Sequence, residues 1–147
     1  MRSEVFKLSD EAVTAWARLL RVSQAVLSRV ESDLKAAGLP PLLWYDALLE
    51  LERSKPEGLR PYQLRERMLL AQYNLSRLTD RLKNAGHIES EDCVDDGRGQ
   101  VLKITKEGSA LLRSMWPVYR QAIATHFADK LDADETAALA LTLTKLR

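Results

Sequence analysis

Apolar side chains recur at helical spacing through most of the chain. Trp16, Leu20, Leu27, Val30 and Leu34 follow one another at steps of three, four and seven, which predicts one long helix over residues 9–37. Ser9 offers a hydroxyl as N-cap, Glu11 sits in the first turn where the helix dipole favours a carboxylate, and Gly38 ends the run. Leu19 and Val26 widen the stripe, so this helix is expected to face two partners. Pro40 and Pro41 open a second helix, since proline is tolerated in a first turn, with Leu43, Ala47, Leu48 and Leu51 facing inward. Lys55-Pro56-Glu57-Gly58 closes it as a turn.

A short third helix is predicted over residues 61–68, starting at Pro61 with Leu64 and Met68 inward. After a turn at 69–71, a fourth helix is expected over roughly 72–85. Its Leu75, Leu78 and Leu82 share one face, Tyr73, Arg77 and Asp80 lie opposite, and Gly86 caps its end. Two short helices joined by a tight turn, the second apolar behind and basic in front, form a helix-turn-helix pattern. The period then changes from 3.6 to 2, predicting strands at 88–93 and 100–105 around a turn-rich tip at 94–99. A helix-turn-helix followed by such a hairpin is a winged helix. Thr105 caps a long helix running to about Lys130, with Pro117 expected to kink its middle. Asp132-Ala133-Asp134-Glu135 has the spacing of a capping box and opens a last helix carrying Leu139, Leu143 and Leu146 on one face.

The fold class expected is therefore mainly α with a small β-hairpin, in one domain, because 147 residues are too few for two of ordinary size. Composition narrows the function more than it widens it. No apolar run approaches a membrane span, and the single Cys93 cannot form an internal disulfide, which suits a cytoplasmic protein. Two histidines and one cysteine make a metal cage improbable, the six scattered glycines write no phosphate loop, and no catalytic constellation is present; no enzyme activity and no cofactor are expected. The formal net charge of +1 hides a local imbalance: residues 60–88 carry six cations against Glu66 and Asp80 alone. Such a block in a neutral chain suggests one polyanion-facing surface, although a solvated helical face would read the same way.

The segment Leu70-Ala71-Gln72-Tyr73-Asn74-Leu75-Ser76-Arg77-Leu78-Thr79-Asp80-Arg81-Leu82 resembles the recognition helix of the MarR family, the multiple-antibiotic-resistance regulators. Asp96-Gly97-Arg98 is similar to that family's wing signature, and Ile104-Thr105-Lys106-Glu107-Gly108 to its exit from the second strand. The resemblance covers the chain in order, as a single MarR-like domain over residues 1–147. It implies a winged helix-turn-helix DNA-binding lobe over 39–105, dimerisation helices at 9–37 and 106–147, and a ligand-responsive repressor. It also implies a homodimer on a pseudo-palindromic operator and a small aromatic or phenolic effector in a cleft between lobe and dimer helices. Three departures from the family pattern stand out: Arg65 after Leu64, Ser90 after Glu89, and the acidic pair Glu91 and Asp92. The last two weaken the phosphate grip expected at the base of the wing.

Double-stranded DNA asks for base-edge donors on the front of a helix and cations beside it. Gln72 and Asn74 suit adenine and Arg77 suits guanine, while Tyr73 and Ser76 suit phosphate oxygens and Arg81 positions the helix. Arg98 on a narrow tip can enter a minor groove, with Asp96 orienting the wing. Arg60 and Arg65 either reach backbone phosphates or simply face solvent. Against these roles stand surface ion pairing of Arg77 with Asp80, and a winged-helix interaction module that does not bind DNA. Cys93 has acidic sequence neighbours and reads as an inert strand thiol. His87, His126, Trp16, Trp44, Tyr45 and Trp116 read as structural or core residues.

Overall fold

A computed structural model describes residues 7–92 and 99–147. The elements run α1 (Asp10–Ala36), α2 (Leu42–Arg53), α3 (Pro61–Arg67), α4 (Leu75–Asn84), β1 (Ile88–Asp92), β2 (Gln100–Ile104), α5 (Lys106–His126), a single 3-10 turn at Ala128–Lys130, and α6 (Ala133–Thr144). This is the winged helix expected: mainly α, with one antiparallel hairpin. Its boundaries follow local chemistry. The Ser9 hydroxyl accepts from the Ala12 N–H at 3.0 Å, and the Thr105 hydroxyl accepts from the Gly108 N–H at 3.0 Å. Asp132 and Glu135 exchange side-chain-to-backbone bonds at 2.8 and 3.1 Å as a capping box.

The core gathers under the lobe. Leu34, Ala47, Leu48, Leu64, Leu82 and Met115 are completely buried, so the C-terminal part of α1, α2, α3, α4 and α5 meet there. In the hairpin, Ile88 pairs with Ile104 and Ser90 with Leu102, which turns Ile88, Leu102 and Ile104 inward. Leu59, just after the α2 turn, adds a further antiparallel rung by exchanging backbone bonds with Leu102 at 3.0 and 2.7 Å. Gly58 makes this approach possible: its φ is +78°, and a Cβ there would stand 2.5 Å from the Leu102 carbonyl oxygen.

Three expectations need correction. α4 begins at Leu75, not near residue 72, because Asn74 has non-helical backbone and acts as its N-cap. Trp16 and Trp116 are not core: they are 62% and 41% exposed. The apolar stripe of α1 is buried only at Val30 and Leu34, near its C-terminal end, while Val13, Trp16, Leu19, Leu20 and Leu27 face outward. α6 buries none of its residues. α5 continues through Pro117, which has no N–H to donate to the preceding turn, and ends at His126. There His126 Nε2 meets the Asp33 carboxylate of α1 at 2.8 Å.

Candidate nucleic-acid interface

α4 is held from behind by Leu75, Leu78, Thr79 and Leu82, all buried, and this fixes what its other side can present. Ser76, Arg77, Asp80 and Arg81 are exposed along the front, and Tyr73, just ahead of the helix, is fully exposed. None of the ion pairs among the described residues involves Arg77, Asp80 or Arg81. The two guanidinium groups therefore stand beside Asp80 without being neutralised by contact.

The first turn differs from the sequence reading in chemistry as well as in position. Asn74 Oδ1 accepts from the Arg77 N–H at 3.0 Å, so this oxygen caps the helix and its amide nitrogen is the group left for an outside partner. Gln72 is turned inward: its Nε2 is buried with no hydrogen-bond partner among the described residues. To meet a base edge it would have to rotate out, which that orphaned amide favours. Asp96 and Arg98, together with Cys93 and the intervening tip, lie outside the described residues.

At the base of the wing, Lys103 Nζ reaches the Glu91 carboxylate at 2.9 Å, so one of the two unusual acids is neutralised across the hairpin. Beside it, a groove of about 390 Å³ runs between α3, α4 and β2, lined among others by Tyr62, Arg65, Ser76, Thr79, Lys83 and Gln100. Sequence reasoning missed Tyr62, Thr79 and Gln100, because it weighed the cations and the front of α4, and these residues meet only through tertiary packing.

A second cleft, of about 500 Å³, lies on the other side of the lobe between α2, the α3–α4 turn and α5. Tyr45 and Tyr119 stack there at 5.0 Å between ring centroids, with Trp116 against both at 6.2 and 5.9 Å. Burial raises the pKa of both phenols, more than offsetting Arg53 at Tyr45 and reinforced by Asp46 at Tyr119, so both remain hydroxyl donors at neutral pH. Behind the cleft, Ser109 at the start of α5 donates to Glu52 at 2.6 Å, and Lys55 joins both at 3.1 and 2.9 Å. The Ser109 hydroxyl first, and Lys55 second, hold the Glu52 carboxyl below its ordinary pKa.

No helix among the described residues is long and apolar enough to cross a membrane. A family model described as the MarR family matches residues 37–99. The transcriptional repressor MprA of Escherichia coli K12 is 28% identical over 98 residues, which are 67% of this chain and 55% of that protein. The chain thus spans about half the length of that curated relative. AbsC, a MarR family transcriptional regulator from Streptomyces coelicolor, is 26% identical with a TM-score of 0.83, over 95% of this chain and 94% of that one. Sco3205, a second MarR family regulator from S. coelicolor, was solved in complex with DNA. It superposes with a TM-score of 0.87 at 24% identity, over 99% of this chain and 91% of that one, a likeness of fold. With the winged lobe, the matched segment and these relatives in agreement, the chain is similar to MarR-family regulators in fold and in the sequence of its winged lobe.

Proposed function

We propose that the protein is a transcriptional regulator that binds double-stranded DNA in a sequence-specific manner, as a homodimer on a pseudo-palindromic operator in the cytoplasm. The observation that carries this reading is the front of α4, where Arg77 and Arg81 are exposed and outside the ion pairs, over a helix buried only from behind. In this reading Arg77 and Asn74 read bases, Gln72 joins them after rotating out, Tyr73 and Ser76 meet phosphates, and Arg81 holds the register. Arg98 enters the minor groove and Asp96 orients the wing, both assigned from sequence.

The homodimer reading is supported by exposed apolar surface on α1 and α6, including Trp16, Leu20, Leu141 and Leu143, which a lone protomer leaves to water. Repression relieved by a small aromatic or phenolic effector is supported by the cleft, whose stacked Tyr45 and Tyr119 offer a planar wall and hydroxyl donors. Selecting bound duplexes from a random pool with the purified protein tests the central claim. A two-fold motif with half-sites about one helical turn apart is expected. The second reading, an interaction module that does not bind DNA, draws on the acidic Glu91 and Asp92 of β1. Failure to retain even random duplex at low salt would favour that module.

A further inference from the structure

Asp46 lies in the middle of α2, remote from the DNA-facing front, yet it is the one aspartate buried among the described residues, at 6% exposure. We propose that Asp46 is a positioning residue for the recognition helix, a latch that sets where α4 begins and how its front is presented. The consequence for DNA rests on the function proposed above; the latch itself does not.

The carboxylate is used at both oxygens. Oδ1 accepts from the N–H of Leu69 at 2.9 Å and Oδ2 from the N–H of Leu70 at 2.7 Å, across 23 and 24 residues of chain. These two donors open the turn between α3 and α4, immediately after Met68. A carboxylate buried without partners is costly, and so are two backbone donors left unpaired, so the arrangement satisfies three groups at once. A two-pronged, charge-assisted contact also fixes direction, since rotating the carboxylate would break one bond.

Hydrophobic burial does little of this work at the same place, where Leu70 is the one apolar side chain between Met68 and Leu75 that packs, partly buried, against the core. Leu69 is 78% exposed, and Ala71, Tyr73 and Asn74 face solvent, so the turn has little apolar weight of its own. α2, in contrast, is anchored on both sides: the Leu42 N–H donates to Glu31 of α1 at 2.8 Å, and Glu52 accepts from Ser109 of α5. The latch therefore refers the start of α4 to the long helices. Asp46, Leu69 and Leu70 also line the 500 Å³ cleft, so the latch forms part of its wall.

Asp46→Asn keeps the size of the side chain but turns an amide group toward one of the two N–H donors. Amide exchange followed by NMR is expected to show Leu69 and Leu70 protected in the wild type and at least about tenfold faster in Asp46→Asn, with Leu112 and Met115 of α5 unchanged. On DNA, affinity for the selected site should fall at least about tenfold while affinity for random duplex changes less than about twofold, because the phosphate-facing cations remain. Glu66→Gln, on the same cleft, should alter neither. Wild-type Leu69 and Leu70 amides exchanging at unstructured rates would overturn the latch, and this measurement holds even if Asp46→Asn does not fold. Unchanged discrimination between selected and random duplex in a folded Asp46→Asn would overturn the positioning role. A wild type that binds no duplex would overturn the proposed function instead, leaving the latch to the exchange data.

Discussion

At the scale of single residues, Asn74 and Arg77 are adjacent in function but not in energetics. Asn74→Ala removes the N-cap of α4 and should cost about 1 kcal/mol of stability, visible as a lower urea midpoint. Arg77→Ala breaks none of the ion pairs among the described residues and should change stability by less than about 0.5 kcal/mol. On the best DNA site it should still lose about 1–3 kcal/mol and relax preference at one position per half-site. Equal urea midpoints for the two variants would contradict the capping role. Ser109→Ala probes the other side of the lobe. Because the folded pKa of Glu52 is lowered, its contribution is complete above the carboxylate range and is lost as pH falls through the folded value. Losing this hydrogen bond to a charged group, Ser109→Ala should cost about 1.5 kcal/mol at pH 7, and its thermal midpoint should converge on that of the wild type as the pH falls below the ordinary carboxylate range. Arg77 was legible in the sequence because its exposure follows from the leucine spacing behind it. Gln72 was not, since its inward turn depends on the path of residues 69–74, and Asp46 reads in sequence as a lone polar point in a leucine-rich helix.

Helix ends and strand pairing belong to the next scale, and most of these were legible because caps are local chemistry. Ser9, Thr105 and the Asp132–Glu135 box act within three residues of themselves. The start of α4 was misplaced for the complementary reason. Residues 72–74 carry no glycine or proline to end a helix, and the latch proposed for Asp46 acts on the Leu69 and Leu70 N–H groups just ahead of them, from α2 more than twenty residues away. Gly108 shows the same non-local control at the head of α5. A Cβ there would collide with the His87 carbonyl oxygen and stand 2.7 Å from Ile104 Cγ1. Gly108→Ala should therefore destabilise the fold by about 1–3 kcal/mol in calorimetry, despite alanine's better helix propensity. A stabilised variant would show that α5 does not press on the lobe at this point.

For the molecule as a whole, periodicity identified the apolar stripes but could not say what covers them. A stripe facing its own chain and one facing a second copy have the same spacing, which is why Trp16 and Trp116 were assigned to a core that the protomer does not give them. The proposed dimer makes stability depend on concentration, since only assembly covers α1 and α6. Sedimentation at micromolar concentration should show a dimer, and tenfold dilution should lower the melting temperature. Leu143→Glu should shift the protein toward monomer while retaining the helical signal. A wild-type monomer at that concentration would sink the paired half-site model.

The close packing at Gly108 has a mechanical consequence. The head of α5 is tied to the lobe three ways: Gly108 against His87, Thr105 to the Gly86 carbonyl at 2.7 Å, and Ser109 to Glu52. The helix as a whole extends through 21 residues, a lever arm of roughly 31 Å from head to tip. With no slack at the joint, a tilt of about 5° at the far end displaces the lobe by roughly 2.7 Å, and in the proposed dimer two such arms related by a two-fold axis would change the separation of their lobes by roughly 5 Å. Set against a half-site spacing of ~34 Å, that is enough to move a pair of recognition helices out of phase with the groove.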